Sequence, residues 1–187
     1  MSVRRVQPAE SVVVVVDVQE RLAPAMPEAQ LAALTRAATV LIEGAGLLGA
    51  GVLATEQYPK GLGPTIPRIQ EKLDAAGVTV LPKMTFSACE AEGFEALWTK
   101  RGARVAIVVG METHVCVYQT VRDLCAQGIE VLVPADGVAS RREDHRQVGL
   151  DLCRSAGATI TTMETVVFDW LRVAGTEPFR MLSKLIR

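Results

Sequence analysis

Five consecutive valines, Val12–Val16, lying between Ser11 and Asp17, constrain the fold of this chain more than any other feature. β-Branched side chains favour extended backbone, and a run without apolar–polar alternation suits a strand covered on both faces, as in the middle of a parallel sheet. Such a strand needs helices above and below it, and the chain supplies them in alternation. Pro27-Glu28 opens a helical pattern in which Leu31, Leu34, Ala38, Leu41 and Ile42 recur at three and four residues, with Gly44, Gly46 and Gly49 marking its end. Val52–Thr55 reads as a second strand. Thr65 precedes a helical pattern through Ile66, Ile69 and Leu73 closed by Gly77, and Val78–Leu81 reads as a third strand. Ser87-Ala88-Cys89-Glu90 has capping-box form at the head of a helix containing Phe94, Leu97 and Trp98. Arg104–Val109 is a fourth strand, followed by an amphipathic helix to Gln127 that Gly128 stops. Ile129–Val133 gives a fifth, and Ser140-Arg141-Arg142-Glu143 is a second capping box opening a helix to about Ala156. Ala158–Thr161 is a weaker sixth strand, Glu164–Val173 a helix, and Pro178–Ile186 a last short helix.

This alternation predicts a single-domain, three-layer α/β/α sandwich around a six-stranded parallel sheet. The 187 residues form one domain, with a core over 11–173 and a tail helix over 176–187, and no linker or repeat divides them. A formal net charge of -1 without a Lys/Arg cluster points away from nucleic acid and anionic membranes, towards a small-molecule substrate. Cys89, Cys116, Cys125 and Cys153 lack C-x-x-C spacing and paired histidine ligands, which suits a reducing, cytoplasmic setting. Val12–Val16 is too short for a signal-peptide core or a membrane span.

In open α/β sheets the site lies beyond the carboxyl ends of the strands. That rule selects Asp17, Thr55-Glu56-Gln57, Lys83, Gly110–Cys116 and Asp136. Cys116 sits where the fourth strand hands over to a helix, so first-turn N–H groups and the helix dipole favour its thiolate. Each residue also has a plainer reading: Cys116 as a buried small hydrophobe, Asp17 as the cap of a turn, Lys83 as a solvated strand end. Asp136, with Ser140 after it, shapes a turn and caps. His114 lies two residues before Cys116, a spacing that does not face it on a helix, and His145 reads as part of a solvated helix face. A nucleophilic Cys116 therefore takes a carboxylate as its base. The glycines at Gly44-Ala45-Gly46 and Gly61-Leu62-Gly63 match no nucleotide-binding pattern.

Asp17 after a hydrophobic strand, Lys83 after the third, and Gly110-x-Glu112-x-x-Val115-Cys116-Val117 after the fourth resemble the isochorismatase-like (cysteine) hydrolase family, which includes nicotinamidases and N-carbamoylsarcosine amidases. The likeness spans about Ser11 to Trp170. Thr55–Gly63, with Lys83, Phe86 and Ser87, is similar to the subgroup of isochorismatase domain-containing proteins. The resemblance implies strand order 3-2-1-4-5-6 and a triad of Asp17, Lys83 and Cys116, with Lys83 reaching about 9.5 Å across the second strand. It further implies that Asp17 accepts the thiol proton, that Cys116 forms an acyl-enzyme thioester, and that water hydrolyses it. The resemblance also implies a non-proline cis peptide at Met111–Glu112 and an oxyanion hole formed by the backbone N–H groups of Glu112 and Cys116.

Nicotinamidases carry an Asp-x-His metal motif where this chain has Gln57 and Pro59, so neither a metal nor another cofactor is expected. Retention of Cys116 favours carbonyl chemistry on a small amide-type C–N bond. Gln57, Tyr58 and Phe86 are the expected substrate-pocket residues, and relatives imply a homo-oligomer. The competing readings are a thiol redox protein, with Cys89 or Cys125 as partner, and a non-catalytic binding member of the fold.

Overall fold

The structure, a computed structural model, describes residues 5–186. Ser11–Val16 (β1) is buried along its whole length and lies at the centre of a parallel sheet. The other strands are Gly51–Gln57 (β2), Val80–Lys83 (β3), Val105–Met111 (β4), Glu130–Pro134 (β5), Val138–Ala139 (β6) and Thr159–Thr161 (β7). Their order is β3-β2-β1-β4-β5-β7, with β6 extending the pairing of β4 beyond the end of β5. The expected order therefore holds, and the sixth predicted strand is the edge strand β7. The two-residue β6 is too short to leave a periodic signal in the sequence.

Helices Glu28–Leu48 (α1), Pro59–Leu62 (α2), Pro67–Ala75 (α3), Phe94–Arg101 (α4), Tyr118–Ala126 (α5), Glu143–Ser155 (α6), Met163–Leu171 (α7) and Glu177–Ile186 (α8) complete the fold. Period-two alternation along β1 divides its valines between two cores. Val13 and Val15 pack with Leu41 of α1, Leu73 of α3, Trp170 of α7 and Leu182 of α8. Val12, Val14 and Val16 pack with Phe94 of α4, Val121 of α5 and Leu150 of α6. Both faces being covered is why the run needs no polar residue. By length and composition α1 could cross a membrane, but Leu34, Ala38, Leu41 and Ile42 are sealed inside the domain.

Three local expectations need correction. Gly44 and Gly46 lie within α1, which ends at Gly49 in the left-handed region (φ 85°); a Cβ on Gly44 would come 3.3 Å from the Trp170 ring, so that glycine serves close packing. Ser87 accepts from the Cys89 N–H but caps only the single turn Ala88–Glu90, and α4 begins later, after Gly93. Ser140 does not cap α6, whose flanking residue is Arg142; its hydroxyl is engaged elsewhere.

Gly110 is where the sheet leaves least room. It pairs with Val16 at φ 138°, and a Cβ there would lie 2.0 Å from the Val16 carbonyl oxygen. Gly110→Ala is expected to destabilise the chain by about 3 kcal/mol, read as a fall of roughly 10 °C in thermal melting.

Candidate active site

Three parallel strands converge on one carboxylate. Asp17 follows β1 in the left-handed region (φ 53°), which an aspartate tolerates better than most residues, and its N–H donates to the Thr55 carbonyl at 3.1 Å. The side chain is fully buried: Oδ1 accepts from the Thr55 hydroxyl at 2.8 Å, and Oδ2 accepts from Lys83 Nζ at 2.7 Å. Lys83 ends β3, so it reaches across β2 to make that contact. Its ammonium also donates to Gln57 Oε1 at 2.8 Å and to the carbonyls of Thr85 and Phe86 at 3.1 and 3.0 Å. A buried ion pair survives when its remaining polar atoms are satisfied, and this cluster satisfies them.

A second layer fixes Lys83. Gln57 donates through Nε2 to the Met84 carbonyl at 2.8 Å, and its own N–H donates to Gln19 Oε1 at 2.8 Å. Gln19 Nε2 donates to the carbonyls of Gln57 and Gly63 at 3.0 and 2.7 Å. Gln57, expected in the substrate pocket, is thus a buried support for the lysine; its amide is tied to Lys83 and Met84 because strand β2 points it inward beside β3. Gln19 is not among the residues the strand-end rule selects, and Thr55 is selected without a role. Both are polar residues within three positions of a strand's carboxyl end, which is the signal that marks them.

Cys116 arrives from the other side. After β4 the Met111–Glu112 peptide is cis, and Thr113–Val117 forms a single turn of π-helix leading into α5. Cys116 is 6% exposed, and its carbonyl accepts from the Thr120 hydroxyl at 2.7 Å. Burial pushes the thiol pKa up to about 12, helped by the charge of Asp17 and by a hydrogen bond with its carboxylate; Lys83 opposes the rise without reversing it. Burial thus works against the preference for thiolate expected at a helix N-terminus. Burial and the Asp17 charge both favour the thiol over the thiolate.

On the same turn, Glu112 Oε1 accepts from Arg141 twice, from its N–H at 3.2 Å and its Nε at 2.8 Å. Burial works against the Glu112 charge, yet the Arg141 bonds prevail and hold its pKa below the ordinary carboxylate value. His114 Nδ1 lies 3.1 Å from Ser140 Oγ, and its ring is 4.7 Å from that of the exposed His145. Burial lowers the His114 pKa. Asp136 accepts at 2.8 Å from the Met163 N–H in the first turn of α7, so it caps and takes no part in the cluster.

A groove of about 660 Å³ adjoins the end of β3, lined by Tyr58, Pro59, Pro82, Met84, Thr85 and Ala91 among others. Tyr58 is 48% exposed, and Phe86, next in the chain to Thr85, is 50% exposed. Among the described residues no group of three or more His, Cys, Asp or Glu side chains is set to hold a metal ion.

The isochorismatase domain model matches residues 11–165. Over 181 residues the chain is 35% identical to isochorismatase domain-containing protein 1 of Salmo salar, covering 96% of this chain and 62% of that protein, so it spans less than two thirds of that relative. Over 185 residues it is 37% identical to the secreted isochorismatase effector Isc1 of Phytophthora sojae, covering 98% of this chain and 87% of that one. The solved structure of the MAR1 ribonuclease of Caenorhabditis elegans superposes with a TM-score of 0.89 at 34% identity, covering 98% and 92% of the two chains. The nicotinamidase SaPncA of Staphylococcus aureus shares the fold at a TM-score of 0.72 and 16% identity, covering 82% and 99%. With the domain matched from Ser11 to Thr165 and relatives above 30% identity along nearly its whole length, the chain belongs to the isochorismatase family.

Proposed function

We propose that the chain is a metal-independent cysteine hydrolase of small amide-type substrates, with Asp17, Lys83 and Cys116 as its catalytic residues. The observation that carries this reading is a buried Cys116 thiol whose ionisation is governed by a carboxylate that is itself ion-paired to a buried lysine. In such a site the sulfur becomes a nucleophile by giving its proton to Asp17 as it attacks. A C–S bond forms, the carbonyl π electrons move to oxygen, and the backbone N–H groups of Glu112 and Cys116 receive the oxyanion. Collapse breaks the C–N bond, and Asp17 passes the proton to the departing amine. Water then attacks the thioester, returning a proton through Asp17 to the sulfur as the carboxylic acid leaves. Lys83 compensates the carboxylate throughout.

The absence of a metal step rests on residue chemistry: the positions of the nicotinamidase metal motif are Gln57 and Pro59, and the Gln57 amide is committed to Lys83 and Met84. The groove over Tyr58, Pro59, Pro82 and Met84 gives an apolar wall for the body of the substrate. A redox role is less well supported, because thiol oxidation proceeds from the thiolate and Cys116 is held as the thiol.

On a panel of small amides, Cys116→Ala is expected to abolish turnover, and Asp17→Asn to reduce kcat at least about 100-fold. Bare thiol reactivity should move the opposite way. Asp17 raises the thiol pKa through its charge and hydrogen bond, so Asp17→Asn lowers it, and iodoacetamide should alkylate Cys116 faster in that variant than in wild type at pH 8. Equal alkylation with equal loss of turnover would sink the assignment of Asp17 as the base. In wild type the thiolate population grows as pH rises towards the raised pKa, so alkylation of Cys116 should be slower than that of free cysteine at pH 7 and climb without a plateau to pH 10, measured by peptide mass spectrometry.

A further inference from the structure

On the edge of β4 turned away from β1, the chain returns to grip the turn that carries Cys116. β6 pairs with Gly110 and Met111, and the two residues after it, Ser140 and Arg141, continue along that turn. Ser140 Oγ accepts from the Thr113 N–H at 3.1 Å, and the Ser140 N–H is anchored on Gln30 Oε1 of α1 at 3.0 Å. Arg141 then places two donors on one oxygen of Glu112, at 3.2 and 2.8 Å. From behind, α6 approaches so closely that a Cβ on Gly149 would lie 2.7 Å from the His114 nitrogen. The turn is held on three sides.

The clasp has an electrostatic side. The charged groups that act on the thiol are Asp17 from the end of β1, Lys83 from the end of β3 and Glu112 from the turn itself. Those that act on Glu112 are Arg141 and His114, with His145 and Asp144 of α6 beyond His114. The Glu112 side chain is 8% exposed and its Arg141 partner 61%. A buried carboxylate on the turn that carries the nucleophile disfavours the nearby thiolate unless something neutralises it.

Resting on the reading of Cys116 as the nucleophile, we propose that Arg141 is a positioning residue: anchored through Ser140, it ties up the Glu112 carboxylate and holds the nucleophile turn, leaving Asp17 as the carboxylate that takes the thiol proton. Losing Arg141 strips the compensation from Glu112, and the thiol then ionises less readily. A contact that served the fold alone has the opposite signature, since loosening the turn exposes the sulfur and speeds its modification.

The test is the second-order rate of iodoacetamide alkylation of Cys116 in the full chain, followed by peptide mass spectrometry at pH 8.5 and 9.5. Arg141→Ala is expected to slow it by about three- to tenfold at both values. Arg141→Lys should stay within about twofold of wild type, and adding Glu112→Gln to Arg141→Ala should restore the rate. Arg141→Gln keeps donors and bulk without the charge; it should slow like the alanine variant, and it serves if that variant fails to fold. Unchanged or faster alkylation in both Arg141→Ala and Arg141→Gln overturns the proposal. The assay reads the thiol whether or not an amide is turned over. Slowed alkylation with no hydrolase activity on any amide therefore supports the clasp and sinks the hydrolase reading; active enzyme with unchanged alkylation sinks the clasp alone.

Discussion

The ion pair between Asp17 and Lys83, 2.7 Å long and wholly buried, is the interaction on which the site depends. Removing two charges from water costs several kcal/mol each, and their attraction offsets this only where the remaining donors and acceptors are also met. Here the partners come from two stretches, the Thr55 hydroxyl and Gln57 amide of β2 and the Thr85 and Phe86 carbonyls after β3, with Gln19 bracing Gln57 from behind. The pair therefore cannot form without β1, β2 and β3 in register. Chemistry and topology are coupled at this point, because the lysine reaches its carboxylate only by passing over the intervening strand.

The same coupling explains why the two halves of the sheet carry different parts of the site. The β3-β2-β1 half supplies charge, held by side-chain hydrogen bonds. The β4 half supplies the sulfur and the backbone of the turn, held by β6, Ser140, Arg141 and the close approach of α6. Gly110 is the hinge between them: its missing side chain lets β4 run against the Val16 carbonyl and deliver Cys116 to the end of β1.

Much of this was legible because single residues carry it. Five valines announce a strand with two covered faces, and the structure divides them between two cores. Strand-end polar residues announced where the site would lie. What escaped were features set by neighbours rather than by local pattern. β6 is two residues long and exists through pairing with β4. Ser87 and Ser140 both fitted a capping box, yet one caps an isolated turn and the other bonds across the sheet to Thr113. Gln57 was read as facing the pocket, but the proximity of β3 turns its amide onto Lys83. Ion pairs between distant residues, such as Arg141 with Glu112, leave no spacing to detect.

The resting state of Cys116 is decided by magnitudes. A helix N-terminus favours an anion by about 0.3–1 kcal/mol when exposed, and by about 2 kcal/mol in good buried geometry. Raising a thiol from an ordinary 9.0 to about 12 corresponds to about 4 kcal/mol against the thiolate, driven first by burial and then by Asp17. The dipole loses, even with Lys83 on its side. On the proposed reading, a site built this way does not store a reactive anion; it makes one when an electrophilic carbonyl is in place for the sulfur to attack and Asp17 takes the proton. An exposed thiolate reacts with any passing electrophile or oxidant, whereas a buried thiol paired to a carboxylate reacts with what fits beside both. Burial of Cys116, which on sequence grounds counted against a catalytic role, is thus compatible with one, provided the base is buried with it.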